Sequence, residues 1–200
     1  MEAKSTEASM YTTTSDEQIW VAFQDGDKQA LASIYYRSFK FLMAYGHKIS
    51  ADGDLVKDCI HDLFVEIWNN KLNLSVPRSV KAYLLTCLKR KLIRYMNRRR
   101  RAARVEVNRL PDRQQVESRE DQLISDQDSL DQQNALKLAI SNLTKREQEA
   151  IYLKFYTNLS YEEIVGVMNI SADSIYNLIS KAIDVLQKEA HKSRKIAKHL

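Results

Sequence analysis

The sequence is short of the residues that end helices or cross-link chains, because its 200 residues include only four glycines, two prolines and two cysteines. Strand-like alternation is not sustained beyond a few positions. Together these features predict an all-α fold. Cys59 and Cys87 both lie within apolar helical patterns, which predicts reduced core thiols and not a disulfide or a metal site.

Long apolar runs are also missing. No stretch approaches the roughly 20 apolar residues that a membrane span needs. Residues 1–18 are polar and lack the apolar segment of a signal peptide, so residues 1–14 are expected to be disordered and the protein to stay in the cytoplasm. The 28% of charged residues agrees with a soluble chain.

The motifs of common enzyme classes are absent as well. The sequence contains no glycine-rich phosphate loop, no nucleophile elbow and no zinc pattern. The dipeptide His61-Asp62 is found in metal phosphohydrolases, but such a site needs further His and Asp ligands that this sequence does not supply in a suitable context. We therefore expect no catalytic residue, no metal and no cofactor, and a protein that is not an enzyme.

Charge is distributed in two blocks of opposite sign. Residues 89–104 contain nine Lys or Arg and no acid, whereas residues 112–131 contain seven acids and two arginines. A basic block at the end of a helix indicates a polyanionic partner, because neutralised phosphates release counterions. The acidic block lacks apolar periodicity, which predicts a flexible linker over residues 101–133 between two small helical domains.

The first predicted domain covers residues 15–100 and holds four helices by the spacing of its apolar residues. The third helix is the clearest, since a broad apolar stripe runs along it from Leu55 to Trp68 and must be buried. Its other face is acidic and polar. The fourth helix is predicted from about 79 to 97, with a basic C-terminal half, and residues 70–79 form the loop between the two.

The second predicted domain covers residues 134–190, followed by a basic tail at 191–200. Its first helix is expected to bury Leu136 and Leu143, and the next, which begins with a capping box at Thr144, to point Phe155 inward. A second capping box joins Ser160 and Glu163. Helix, short bend and helix then follow one another, the arrangement of a helix-turn-helix.

Two residues shape this predicted bend. Asn169 tolerates the left-handed conformation that a tight bend requires, and Ser171 caps the following helix. The outer face of that helix carries hydrogen-bonding side chains, at Ser171, Ser174, Tyr176, Asn177, Ser180 and Lys181. An ordinary helical hairpin would fit the pattern nearly as well, but a merely solvated face usually carries Glu and Lys, so a role in the DNA major groove is favoured.

These segments resemble a known family. The stretch "LSYEEIVGVMNISADSIYNLISKAIDVL" is similar to region 4 of bacterial RNA polymerase sigma factors. "DLVKDCIHDLFVEIWNN" followed by "SVKAYLLTCLKRKLIRYMNRRRR" is similar to their region 2. A chain with only these two regions resembles the extracytoplasmic-function (ECF) subfamily of the sigma-70 class.

The resemblance implies three groups of site residues. For the minus-35 promoter element they are the six outer residues of the helix-turn-helix given above. For the minus-10 element they are Asn73, Arg78, Lys81, Lys89, Arg90, Arg94 and Arg98, with an unstacked base captured by loop 70–79. For docking on the polymerase they are Asp58, His61, Asp62, Phe64, Glu66 and Trp68.

The chain departs from the family pattern at a few positions. Tyr176 and Leu178 stand where basic residues are common, His61 where Gln is common, and Asn169 where Gly is usual. The partners that the resemblance implies are core RNA polymerase, promoter DNA and an anti-sigma factor, often membrane-bound. It also implies that the acidic linker threads toward the RNA exit path, although a plain tether fits the composition almost as well.

A second hypothesis stays open at this point. The same helix-turn-helix fits a stand-alone regulator that binds duplex DNA without polymerase, usually as a dimer at paired half-sites.

Overall fold

The structure is a computed structural model that describes residue 11 and residues 14–107 and 139–197. The regular elements in these ranges are helices, with no strand among them, which confirms the predicted all-α fold. The chain divides into two compact units between Glu117 and Ser118. This division falls within the predicted linker, whose residues 108–133 lie outside the described ranges.

The first unit contains four α-helices and one short 3₁₀ turn. The helices are α1 (Asp16–Gln24), α2 (Lys28–Ile49), α3 (Gly53–Asn69) and α4 (Val80–Val107), and the turn covers Lys71–Asn73. Side chains cap each helix start. At the start of α1, Ser15 forms a capping box with Gln18. The carboxylates of Asp27 and Asp52 accept hydrogen bonds from backbone N–H groups in the first turns of α2 and α3. At the start of α4, the Ser79 hydroxyl accepts from the backbone N–H of Ala82.

Trp20 lies at the centre of this unit and is fully buried. Its indole packs edge-on against Phe23 and Tyr83, with ring centroids 5.1 Å and 5.4 Å apart. Burial raises the pKa of Tyr83 to about 12. The core therefore joins α1 to the first turn of α4.

The predicted stripe on α3 is buried except at its C-terminal end. Leu55, Val56, Cys59, Ile60, Leu63, Phe64 and Ile67 are buried, and Trp68 is half-buried. Cys59 and Cys87 are free thiols, and burial raises the pKa of both. The prediction of reduced core thiols is confirmed for Cys59, while Cys87 is only partly buried.

Helix α4 is longer than the sequence predicted. Its backbone continues to Val107, past the expected end near Asn97 and into the range assigned to the linker. Ala and Arg are good helix formers, and neither Gly nor Pro occurs between Asn97 and Pro111, so nothing local stops the helix at 97.

The N-terminal segment is anchored at two points. The Tyr11 hydroxyl donates to Asp27, at 2.5 Å, and Arg37 donates to the backbone carbonyls of Tyr11 and Thr14. The hydrogen bond from Tyr11 lowers the pKa of Asp27. Residues 11 and 14 thus contact α2 and the residue that caps it, while the rest of residues 1–13 lies outside the described ranges, so the expected disorder of residues 1–14 stays a prediction.

The second unit is described from residue 139. Residues 139–141 are helical and are followed by α5 (Lys145–Ile151), a π turn (Tyr152–Tyr156), α6 (Tyr161–Met168) and α7 (Ala172–Ala197). Ala139 and Leu143 are buried as predicted, while Leu136 lies outside the described residues. The backbone of α7 continues through most of the segment expected to form a basic tail.

One predicted core position, in the π turn, is exposed. Phe155 is 63% exposed, whereas Leu153 and Thr157 are buried. The Thr157 amide donates to the carbonyl of Tyr152, an i→i−5 bond of 3.1 Å. Phe155 lies two residues from both Leu153 and Thr157, which is about half a helical turn, so it faces outward when they face the core.

The helix-turn-helix forms as predicted. Ser160 and Glu163 make the capping box, with bonds of 2.6 Å and 3.2 Å. Asn169 ends α6 at φ 54° and ψ 48°, the left-handed conformation. The Ser171 hydroxyl then accepts from the Ser174 amide at 3.3 Å. Two caps and one left-handed residue therefore fix the bend without glycine.

None of the helices in the described ranges is long and apolar enough to span a membrane.

Two helical glycines give opposite predictions for alanine substitution. At Gly46 in α2, an added Cβ would overlap Val56 Cγ1 of α3, whereas at Gly166 in α6 it would meet nothing within 4 Å. We expect Gly46→Ala to destabilise the first unit by about 1–3 kcal/mol through overpacking. Gly166→Ala should stabilise the second by about 0.8–1 kcal/mol through helix propensity.

Hydrogen-exchange mass spectrometry measures both effects, because it reports the opening free energy of each helix. Each variant serves as the control for the other. Unchanged exchange in α2 and α3 of Gly46→Ala would contradict the close approach of these helices.

Candidate nucleic-acid interface

The outer face of α7 carries five of the six residues predicted for the minus-35 element, and the sixth, Ser171, caps the helix. All six are exposed. The opposite face is buried at Ile175, Ile179 and Ala182. At 3.6 residues per turn, Asn177 lies nearly opposite this buried stripe, with Lys181 one turn further on. Asn177 is therefore the central side chain of the exposed face.

Two of the predicted residues, Ser171 and Ser174, already use their hydroxyl groups in hydrogen bonds at the N-terminal turn of α7. The hydroxyls of Ser171 and Ser174 lie 2.8 Å apart, and Ser171 also caps the helix. Asp173, which the sequence prediction left out, lies in the same exposed turn, where a carboxylate is stabilised by the helix dipole. The serine hydroxyls are thus partly used within the protein, while Asn177 lies beyond this turn.

Tyr176 projects beside this face and is 53% exposed. Its ring stacks on that of Tyr161, the first residue of α6, with centroids 4.2 Å apart and planes inclined by 21°. Lys154 Nζ lies 4.6 Å from the centroid of the Tyr161 ring. Fifteen residues separate the two tyrosines, so helical periodicity within one segment could not have predicted this contact.

A second exposed face runs along α4. Its apolar side is buried at Leu84, Leu85, Leu88 and Leu92. Arg90, Arg94, Arg98 and Arg101 are exposed and follow one another at intervals of three or four residues, so they lie along one side of the helix. Tyr95, 52% exposed, lies among them and was not predicted as a site residue.

The residues predicted for the minus-10 element do not converge on one pocket. Asn73 and Arg78 are exposed in the loop, Lys81 and Lys89 are partly buried on α4, and the arginines lie further along the helix. At 1.5 Å per residue, Lys81 and Arg98 are about 25 Å apart along the axis. The arrangement is an extended basic track, which suits a nucleic-acid backbone better than a small ligand.

Two contacts hold the loop between α3 and α4. The side-chain amide of Gln24, at the end of α1, donates to the carbonyl of Leu74. Lys71 Nζ lies 4.2 Å from the centre of the Trp68 ring. Leu72 is nevertheless 83% exposed. The loop is therefore braced at both ends of its 3₁₀ turn while its apolar tip faces solvent.

The outer face of α3 presents the residues predicted for polymerase docking. Asp58, His61 and Asp62 are exposed. Phe64 is only 6% exposed, because it packs edge-on against Tyr35 with centroids 5.0 Å apart. This burial agrees with the place of Phe64 on the apolar stripe of α3, beneath the exposed residues, and its role in docking stays a prediction.

Glu66 and Trp68 also differ from simple surface residues. Glu66 is exposed, but its carboxylate is paired with Lys91 of α4 at 2.5 Å. Trp68 is half-buried and borders an open groove of about 430 Å³ between α2 and α3. The groove is mostly apolar, lined by Lys28, Leu31, Tyr35, His61, Phe64, Val65 and Trp68.

A further ion pair joins the start of α3 to the basic end of α4. Arg99 donates to Asp52 at 3.2 Å. The pKa of Asp52 is lowered, first by the hydrogen bond from the Leu55 amide and then by Arg99. The Arg99 guanidinium is therefore paired with a carboxylate of the protein, unlike the guanidinium groups of the exposed row.

In the described ranges, no group of three or more His, Cys, Asp or Glu is placed to hold a metal ion.

Two family profiles match this chain. Residues 34–102 match sigma-70 region 2, and residues 133–185 match sigma-70 region 4. Together they cover more than half of the chain and include both the α3–α4 pair and the helix-turn-helix. A comparison with curated proteins gave no match.

Solved structures share the fold at low sequence identity. CnrH, in complex with the cytosolic domain of CnrY, is 20% identical with a TM-score of 0.58, over 88% of this chain and 97% of that chain. The sigma factor RpoE from Bartonella quintana, in complex with the anti-sigma factor NepR, is 20% identical with a TM-score of 0.55, over 78% and 94% of the two chains.

The exposed row on α4 gives a prediction for nucleic-acid binding. We expect the substitution by Ala of Arg98 and Arg101 in this row, together with their exposed neighbour Arg100, to lower the salt dependence of binding. The slope of log K against log salt should fall by about 0.9 per lost phosphate contact on duplex DNA, or about 0.7 on single strands. Arg99 is kept because it is paired with Asp52.

The matched control removes the same charge elsewhere on the first unit, at the exposed lysines Lys28, Lys40 and Lys57. Fluorescence anisotropy with single-stranded and duplex oligonucleotides over a range of salt concentrations measures both variants. Equal slopes for the arginine variant and the unmodified protein would show that this row does not contact phosphates.

Proposed function

This chain belongs to the sigma-70 family of RNA polymerase sigma factors, in the two-region form of the ECF subfamily, and we propose that its exposed faces divide the work of promoter recognition. The family acts in transcription initiation. The face of α7 recognises the minus-35 element, the loop and basic track recognise the minus-10 element, and the outer face of α3 binds core polymerase.

The proposal for α7 is supported mainly by the exposure and position of Asn177. A side-chain amide can donate and accept at once, and Asn pairs in this way with the N6 and N7 atoms of adenine in the major groove. Lys181, one turn further along, is placed to contact phosphate. The caps at Ser160 and Ser171 hold the helix rigidly for this purpose.

The proposal for α4 is supported by the length of the exposed arginine row. Melted promoter DNA keeps its phosphates but exposes its bases, so the row from Arg90 to Arg101, about 16 Å long, can neutralise two or three phosphates of one strand. Unstacking a base costs a few kcal/mol, which the family offsets by holding that base in a pocket. In this chain, the loop that contains Asn73 and the exposed Leu72 corresponds to the family segment that holds this base.

The polymerase surface combines charge with apolar area. Asp58, His61 and Asp62 are exposed beside the apolar groove of α2 and α3. Charged rims mainly raise association rates, while apolar contacts lower dissociation rates. We propose that core polymerase docks on both features together.

The remaining proposals concern partners and location. RpoE was solved with an anti-sigma factor, and CnrH with a cytosolic domain of CnrY. We propose that this protein is also held by an anti-sigma factor, which is membrane-bound in some family members. A role on promoter DNA places it in the cytoplasm, acting by binding and not by catalysis.

Run-off transcription tests the proposed function. The full chain is added to core polymerase and a pool of randomised promoter fragments, and the transcribed fragments are sequenced. We expect selection of two conserved elements and co-elution with core. Tight sequence-specific binding to duplex DNA in the absence of polymerase, without transcripts, would instead support the stand-alone regulator.

The docking proposal predicts the effect of removing two carboxylates. Asp58→Ala with Asp62→Ala should lower affinity for core polymerase by about tenfold, mainly through the association rate, since both side chains are exposed and do not support the core. Glu17→Ala with Asp184→Ala, at exposed sites elsewhere, removes equal charge and serves as control. Surface plasmon resonance measures both rates. Equal association rates for the two double variants would place docking on another surface.

The recognition proposal predicts a change in promoter choice. Asn177→Ala should reduce discrimination at one base pair of the minus-35 element by about 1–3 kcal/mol, the range for a bidentate contact. Gln187→Ala, exposed further along α7, is the matched control. Competition between promoter fragments that differ at single base pairs measures the change. A uniform loss at every sequence would show that Asn177 contacts only the DNA backbone.

A further inference from the structure

The tyrosine stack at the helix-turn-helix joins its two helices on the exposed side. Tyr161 begins α6 directly after the capping residue Ser160, and Tyr176 lies in the second turn of α7. Their rings are 4.2 Å apart and nearly parallel. The contact therefore joins Tyr161, for which the sequence predicted no function, to Tyr176, which was predicted to recognise bases.

Burial alone does not account for this stack. Tyr176 remains 53% exposed although its ring packs on Tyr161. The core beneath is already closed by Ile164 and Ile175, both fully buried. The stack adds little to the core, and its main effect is to limit the rotamers that the Tyr176 side chain can adopt.

Limiting the rotamers matters for recognition. A free side chain loses conformational entropy when it binds, and a side chain already held in its bound position loses less. Tyr176 also carries an aromatic body and a hydroxyl, which can contact a thymine methyl group or a polar base edge. Fixing the ring therefore fixes which base edge these groups can reach.

Lys154 supports the same arrangement from the π turn. Its ammonium lies 4.6 Å from the Tyr161 ring centre and donates to the carbonyl of Leu159 at 3.4 Å. The cation–π contact and the hydrogen bond favour one position for Lys154 and, through it, for the Tyr161 ring. Lys154, Tyr161 and Tyr176 thus form a row from the π turn to α7.

We propose that Tyr161 is a positioning residue for promoter recognition, which holds Tyr176 in the orientation that sets the base preference of α7. This inference rests on the proposed role of α7 at the minus-35 element. Tyr161 itself need not touch DNA, and its effect passes through Tyr176.

The test uses holoenzyme, formed from the full chain and core polymerase, with promoter fragments obtained from the randomised pool. Discrimination is measured at each base pair of the minus-35 element for Tyr161→Ala, Tyr161→Phe, Tyr176→Ala and the double alanine variant. We expect Tyr161→Ala to lower discrimination about two- to tenfold at the base pairs affected by Tyr176→Ala, the range for loss of one aromatic pair. Tyr161→Phe keeps the ring and should retain the preference.

The matched control is Tyr156→Ala. Tyr156 also stacks on a neighbouring tyrosine, Tyr152, at 4.7 Å, and is 56% exposed in the same unit. We expect it to leave base preference unchanged. Hydrogen exchange in α6 and α7 verifies that each variant keeps the helix-turn-helix, and Tyr161→Phe keeps the test decisive if the alanine variant is unfolded.

The outcomes separate the inference from the function on which it rests. In the double variant, the Tyr161 substitution should have no further effect, because its partner is gone. A Tyr161 effect that persists without Tyr176, or one no larger than that of Tyr156→Ala, overturns the inference while the wild-type holoenzyme still selects its promoter. Failure of the wild-type holoenzyme to select any minus-35 element overturns the proposed function itself.

Discussion

The packing of α3 against α4 is the constraint on which the first unit depends. Helix α4 carries a dense row of like charges, which repel one another, and ion pairs with acids reduce that repulsion. Arg99 pairs with Asp52 and Lys91 pairs with Glu66, so each counter-charge comes from α3 or its cap. The buried leucines of α4 then determine which side carries the arginines left in solvent.

The same packing explains why three of the proposed binding surfaces lie so close together. The outer face of α3, the loop after it and the basic side of α4 belong to one continuous helix-loop-helix segment. The loop is braced by Gln24 and by the contact of Lys71 with Trp68, and Trp68 also borders the groove beside the docking face. A partner that moves Trp68 would therefore also affect the loop, which would connect the proposed polymerase docking with the proposed capture of the minus-10 element.

The sequence predicted contacts between residues a few positions apart better than contacts between distant residues. The capping box of Ser160 with Glu163 and the left-handed Asn169 involve residues only a few positions apart, and both were predicted correctly. The prediction for Phe155 was wrong because the buried side of this helix follows Leu153 and Thr157, and the elements packed against a short helix decide which side is buried. The pairing of Glu66 with Lys91, the bond from Gln24 to Leu74 and the stack of Tyr161 on Tyr176 join distant residues, so only the tertiary fold could reveal them.

The two faces proposed to bind nucleic acid differ in how firmly their side chains are held, and this difference indicates what each would contribute. On α7, caps at both sides of the bend and the tyrosine stack hold side chains in defined positions, which is what hydrogen bonding to base edges requires. On α4, the exposed arginines form a row in which the chemistry of phosphate binding depends on charge and little on angle. Base preference is therefore expected to come mainly from α7, and the salt-dependent part of the affinity mainly from α4. A change of ionic strength would then alter how tightly the protein holds promoter DNA much more than which promoter it selects.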